Sequence, residues 1–298
     1  MIMFNGFALN NIKNAYVGST PAQAIYIGST LIWPTTPAEH DYSKDYFTIV
    51  SLEDNNDIYF KINVDHNLRL TISVSTDDGL NWEEKTPSYT SSGYNVKLAT
   101  LNTNNKILIK GNNLTYSPYT SEGYPVHYFE CTKKYNVEGN ILSLSFGDNF
   151  ISSNPTTLSF QAFQYLLCKL SAPQSDDTTF GANTNLISAE NLILPNVVGD
   201  ACYSDMFRNC IALTIAPVLP ATTLKTTCYA SMFRGCSSLR YIKCLATDIS
   251  ADACTLGWCG DSTYHQFSTS GTFVRDASMT GWTTGKDGIP SGWTVHKA

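Results

Sequence analysis

Charge is scarce in this chain. Only 15% of its 298 residues are Asp, Glu, Lys or Arg, where globular domains carry about a quarter. The 19 basic residues are outnumbered by 25 acidic ones, for a net charge of −6. The one basic doublet, Lys133-Lys134, reads as a solvated strand end, so no phosphate-tracking surface forms and nucleic acid is not an expected partner. Long apolar runs are missing too: nothing approaches the roughly 18 residues a membrane-spanning helix needs, so membrane insertion is not expected. The start, Met1 to Asn10, lacks a cationic segment and an apolar stretch of about 7–15 residues, so no secretory signal is expected and the product is expected in the cytoplasm where it is made. No Walker or dinucleotide glycine pattern and no Gly-x-Ser-x-Gly occurs. His40, His66, His127, His265 and His296 are scattered. These absences leave no catalytic constellation and no cofactor, and a non-enzyme is expected.

What is present is a repeat. Cys202-Tyr203-Ser204-Asp205-Met206-Phe207-Arg208-Asn209-Cys210 returns 26 residues later as Cys228-Tyr229-Ala230-Ser231-Met232-Phe233-Arg234-Gly235-Cys236, and Leu213 and Leu239 follow at the same distance. So short a unit cannot close a core alone, so its apolar side chains must be buried against copies above and below. The predicted repeat core is Cys202, Met206, Phe207, Cys210, Leu213, Cys228, Met232, Phe233, Cys236 and Leu239. Cys202, Cys228 and Cys254 share one register, and Cys210 and Cys236 a second. Zinc sites favour cysteine pairs two to four apart, and the spacing of eight favours thiols packed as small inner side chains. Disulfides between stacked copies and metal ligation are the alternatives.

Four regions separate. Residues 1–40 hold Ala15-Tyr16-Val17-Gly18-Ser19-Thr20 and, ten residues on, Ile25-Tyr26-Ile27-Gly28-Ser29-Thr30. These predict a short antiparallel hairpin, followed by a stiff linker at Pro34 and Pro37. So small a hairpin cannot stand alone, which makes Tyr16, Tyr26, Ile32 and Trp33 candidate docking residues toward another chain. Residues 41–135 read as an antiparallel, Ig-like β-sandwich, with strands at about 45–50, 58–64, 68–75, 94–98 and 106–110. Residues 136–270 read as a solenoid of short strand, Leu-Pro corner and short helix. Its strand side is Ile215 to Leu219, its helical side about Leu224 to Arg234, and its first rung Val137 to Phe146. Residues 271–298, with Trp282 and Trp293, are expected to cover the open end. The fold class is therefore mainly β: hairpin, sandwich, and solenoid with short helices.

Leu194-Pro195 followed by 202–213, and Leu219-Pro220 followed by 228–239, resemble the BspA-like leucine-rich repeats of gut Bacteroides-group bacteria and their phages. The ending, Gly271-Thr272-Phe273-Val274 and Gly288-Ile289-Pro290-Ser291-Gly292-Trp293-Thr294-Val295, is similar to that group's closing segment. Ile25 to Pro34 resembles an N-terminal segment of phage tail and virion proteins. Together the resemblances imply a structural or adhesive virion component, a tail fibre or tail-tip protein that recognises the host surface. Its implied partners are other tail proteins through residues 1–40, a host glycan or protein, and further copies of itself in a homo-oligomer. A bacterial cell-surface leucine-rich-repeat adhesin and a glycan-degrading tail protein are the alternatives.

Three motifs bear on chemistry. Ser75-Thr76-Asp77-Asp78-Gly79-Leu80-Asn81-Trp82 fits the Asp-box of sialidases and other propellers, which braces a hairpin and is structural even in enzymes. Glu83, Glu84, Asp77 and Asp78 are the candidates for two-carboxylate hydrolysis, although consecutive strand residues point to opposite faces. Asp54, Asn56 and Asp57 could hold calcium, without EF-hand spacing. Tyr116, Tyr119, Tyr124 and Tyr128, with Phe129, are the candidate ligand contacts: a sugar-facing platform, an adaptable tyrosine-rich binding loop or core packing.

Overall fold

The computed structural model describes residues 40–64, 66–91, 93–121, 123–170, 180–260 and 267–298, with the backbone of six short strands before residue 34. The chain is mainly β, with 33% strand and 4% helix, and divides into two compact units, Met1–Asp41 and Tyr42–Ala298. In the first, β1 (Met3–Phe4) pairs antiparallel with β2 (Phe7–Ala8), β3 (Tyr16–Val17) with β4 (Thr20–Pro21), and β5 (Ile25–Ile27) with β6 (Thr30–Trp33). The strands of the two copies thus pair as β3 with β4 and β5 with β6.

The second unit begins with two antiparallel sheets. One contains β7 (Phe47–Ser51), β9 (Ile72–Ser75), β10 (Glu83–Lys85), β13 (Lys106–Gly111) and β15 (Tyr135–Asn140), in the order β10-β9-β13-β7-β15. The other contains β8 (Asn56–Ile62), β11 (Ser88–Thr90), β12 (Gly93–Leu101) and β14 (His127–Cys131), in the order β11-β12-β8-β14. Alternate residues of β8 are buried, as a half-buried strand requires. The inner faces meet through Phe47 on Phe129, ring centroids 5.4 Å apart, and Phe129 lies 5.1 Å from Phe60, its cross-strand neighbour in the same sheet.

A four-residue helix, α1 (Ser143–Phe146), follows β15. A short antiparallel pair, β16 (Lys169–Leu170) with β17 (Phe180–Gly181), stands apart from the main ladder. The remaining strands are β18 (Leu186–Ser188), β19 (Leu192–Ile193), β20 (Ile215–Leu219), β21 (Tyr241–Cys244), β22 (Thr272–Arg275) and β23 (Thr294–Lys297). Strand β15 pairs antiparallel with β7 on one side and parallel with β18 on the other. The ladder then runs parallel through β20, β21, β22 and β23. Gly139 enables this junction: its φ is +80°, and a Cβ there would lie 2.0 Å from the Tyr46 carbonyl oxygen.

Opposite the strands, the repeat predicts a helix over about Leu224 to Arg234, and the structure has none. Residues 226–235 form consecutive turns, as do 200–209 and 252–259. Within a coil, alternate N–H groups bond three residues back, as in Cys228 to Lys225 O, Ala230 to Thr227 O and Met232 to Tyr229 O. The intervening N–H groups donate to the next coil: Tyr203 to Cys228 O, Phe207 to Met232 O, Tyr229 to Cys254 O, Phe233 to Trp258 O. The backbone turns left-handed every fourth residue, at Ala201, Asp205 and Asn209 and again at Thr227, Ser231 and Gly235. A helix would spend every N–H inside its own coil. This arrangement joins the coils, and it tolerates left-handed non-glycine residues at about 1–2 kcal/mol each because each coil also buries a Phe or Trp and a Cys.

Between the turn segments 160–167, 200–209, 226–235 and 252–259 the backbone bonds all point the same way, so this turn ladder has a carbonyl end and an N–H end. At the first, Tyr116 N–H donates to Ala162 O and Phe129 N–H to Leu166 O, while the Thr115 and Ser117 hydroxyls donate to Gln161 O and Gln164 O. At the second, Cys259 N–H donates to Lys286 O, Gly257 N–H to the Asp287 carboxylate and Trp258 Nε1–H to Gly288 O. Residues 271–298 therefore both extend the strand ladder and satisfy the last turn coil.

Aromatic rings run through the interior: Tyr116 on Phe163, Phe163 on Tyr203, Tyr203 on Tyr229, Tyr229 on Trp258, and Trp258 on Trp282, with centroids 5.4–6.4 Å apart. Every residue of the predicted repeat core is fully buried. All nine cysteines are free and buried.

Candidate ligand-binding surface

The register of the second sheet decides which loops meet. His127 lies opposite Ile62, and Asn95 opposite Lys61, so β8 ends where β12 and β14 begin. Glycine 111 and Lys85 both face Ile72 in the first sheet. The described residues of segments 63–71, 86–93 and 112–126 therefore emerge at one end of the paired sheets.

Side chains tie these segments together. Asn63 Oδ1 accepts from Val126 N–H at 2.8 Å. His66 Nδ1 accepts from Leu68 N–H at 2.9 Å, which leaves the ring proton on Nε2 to donate to Thr120 Oγ1 at 3.0 Å. Arg69 Nε donates to His66 O at 3.2 Å, and its guanidinium lies 5.1 Å from the Tyr94 ring centroid, close enough for cation–π attraction. Tyr94 in turn lies 5.2 Å from Tyr89. On the other flank Tyr119 lies 6.4 Å from Tyr124, and Tyr124 lies 6.3 Å edge-on to Tyr165. The Tyr124 hydroxyl donates to Gln164 Oε1. Burial pushes the Tyr124 and Tyr165 phenols well above their ordinary range. Beside them Asp205 accepts from Arg208 Nη1 at 2.9 Å and from Ser204 Oγ at 3.0 Å. Burial raises this carboxyl, against the lowering effect of Arg208.

Of the four predicted tyrosine contacts, two belong to this surface, and Phe129 is fully buried on β14. Tyr119 is 80% exposed and Tyr124 half-buried. Tyr116 and Tyr128 are corrections. Tyr116 is fully buried between Phe60 and Phe163 and donates to Leu144 O at 3.1 Å. Tyr128 sits in a small cluster with Val126, Cys168 and Leu170. Their Pro- and Ser-rich surroundings suggest a loop, but Tyr116 is where the carbonyl end of the turn ladder is met, and Tyr128 belongs to β14. Tyr89, Tyr94 and Arg69 carry no sequence motif; the one signal is the pair of tyrosines bracketing a Thr-Ser-Ser-Gly turn. Tyr16, Tyr26, Ile32 and Trp33 lie on strands β3, β5 and β6, and their side chains lie outside the described residues.

The Asp-box residues brace the turn between β9 and β10 at the opposite end. Ser75 Oγ accepts from Gly79 N–H at 2.9 Å, and Asp77 accepts from Asn81 N–H at 2.9 Å and Asn81 Nδ2 at 2.7 Å. These bonds, led by the Asn81 backbone N–H, hold the Asp77 carboxyl down at about 2. Such a group stays ionised and spent on its turn, unsuited to donating a proton. Asp77 and Glu83 share a groove of about 190 Å³ with Trp82, but Glu83 pairs with Lys85, and Glu84 is exposed.

The proposed calcium ligands are likewise engaged. Asp54 accepts from Thr103, Asn56 bonds Ser51 and the 133–134 carbonyls, and Asp57 pairs with Lys97 at 2.6 Å. Among the described residues no group of three or more His, Cys, Asp or Glu could hold a metal ion, and no helix is long and apolar enough to cross a membrane. Compared with known proteins, the chain matches no family model, no curated protein and no solved structure.

Proposed function

We propose that this chain is a structural and adhesive component of a phage virion, a tail fibre or tail-tip protein that meets the host cell surface. The observation that carries the reading is the end formed by segments 63–71, 86–93 and 112–126, where Tyr119 and Tyr89 are 80% and 73% exposed beside partners that fix their rings. Exposed, pre-positioned tyrosines are what an adaptable binding surface uses.

The two antiparallel sheets are taken as an Ig-like sandwich, and the parallel ladder with its turn side as coils of a BspA-like leucine-rich-repeat solenoid. The 26-residue recurrence and the bonds between coils support this. Residues 1–40 are taken as the attachment to the particle. Mass spectrometry and immunogold labelling of purified virions test the assignment. Peptides of this chain and label at the tail are expected. Finding the chain only in bacterial envelope fractions would overturn it in favour of a cell-surface adhesin.

A further inference from the structure

We propose that the tyrosine-bearing end of Tyr42–Ala298 is a carbohydrate site that takes uncharged pyranose oligosaccharides, with Tyr119 and Tyr89 as the rings on which sugars stack. This rests on the host-recognition reading and names its ligand class.

Composition is the first support. Segments 63–71, 86–93 and 112–126 contain Asp65, Arg69 and Glu122 as their only charged residues, among many Asn, Ser, Thr and Tyr. With Arg69 as the one Lys or Arg in their sequence, these segments supply no cation cluster to hold a phosphate-rich or polyanionic ligand. An apolar small molecule needs an enclosing, mostly apolar cavity, whereas here the rings lie open. A pyranose offers one face of C–H bonds for an aromatic ring and a rim of hydroxyls for amides and hydroxyls, the two surface types this end combines.

Order is the second support. Tyr119 leans on Tyr124 at a 48° interplanar angle, and Tyr124 is fixed by Gln164 and Tyr165. Tyr89 leans on Tyr94, over which Arg69 lies, and the buried His66 joins the two flanks through Arg69 and Thr120. Rings held in place before binding lose little entropy when a ligand arrives.

The test uses the full chain on an array of neutral and acidic oligosaccharides, followed by titration calorimetry with the strongest neutral ligand. Tyr119→Ala and Tyr89→Ala are each expected to weaken binding about tenfold, or about 1.4 kcal/mol, with unchanged melting temperature. Leu80→Ala, an 82% exposed residue at the opposite end, should bind as the parent does. Three results would overturn the proposal: no saccharide bound at about 10 mM, acidic saccharides alone bound, or both tyrosine variants binding like the parent. If saccharide binding depends on the tyrosines while virions lack the chain, the particle assignment is wrong and the sugar site stands. If virions carry the chain and no saccharide binds, the sugar site is wrong and the particle assignment stands.

Discussion

The indole of Trp282 lies parallel to that of Trp258, with 3° between their planes and 5.4 Å between centroids. Trp258 is fully buried and donates to Gly288 O at 2.8 Å, so the pair joins the last full coil to the segment that satisfies it. Trp258→Ala is expected to destabilise by about 3–5 kcal/mol, the usual cost of deleting a buried large aromatic. Trp282→Ala, at a half-buried position, should cost less. Urea unfolding followed by far-UV circular dichroism measures both. Equal, small effects would mean the rings do not carry the end of the ladder.

The left-handed positions give a test whose sign decides between turn and helix. Thr227 has φ +52° and Ala253 φ +50°. In a helix, Ala253→Gly would cost about 1 kcal/mol and Thr227→Gly about 0.3 kcal/mol. In the observed turns glycine relieves left-handed strain, so Thr227→Gly and Ala253→Gly should leave the melting temperature unchanged or raise it.

His127 makes stability depend on pH. It is buried against Phe60, accepts from Leu70 N–H at 3.1 Å through Nε2, and its Nδ1 faces Tyr116 O at 3.3 Å. Burial lowers its pKa from the ordinary 6.5 to about 3. Below 6.5 the unfolded chain binds a proton that the folded chain refuses, so stability falls as pH drops from about 6.5 toward 3. Linkage puts the loss between pH 7 and pH 5 at about 2 kcal/mol. His127→Gln, which can accept and donate along the same two directions, should remove most of that loss. A parent protein equally stable at both pH values would show that the imidazole titrates normally.

The thiols form two columns. Burial raises Cys202, Cys228 and Cys254, and Cys168, Cys210, Cys236 and Cys259, with neighbouring thiols adding to the effect at Cys202, Cys210, Cys228 and Cys259. Buried neutral thiols are poor nucleophiles. Ellman's reagent should therefore titrate fewer than one equivalent within minutes in buffer, and all nine cysteines in denaturant. Rapid reaction of several thiols in the native protein would place them at the surface.

Recurrence singles out Cys202, Met206, Phe207 and their 26-residue counterparts because an inward position must be filled in every coil, and these side chains are buried. The spacing breaks down at Cys168 and Cys259, where coils differ in length, so their places in the second column are not legible. The turn conformation is hidden for another reason. Ala201 and Thr227 are residue types that rarely turn left-handed, and their backbone bonds within the turn and to the next coil are not visible in the sequence. The tyrosine surface is assembled from three segments brought together by strand register, a long-range fact that no local pattern encodes.

Strand β15 belongs to both halves of Tyr42–Ala298, bonded to β7 along one edge and to β18 and β19 along the other. The antiparallel sheet and the parallel ladder therefore share one continuous strand of backbone. A load on either is carried directly into the other, so the two parts should yield together.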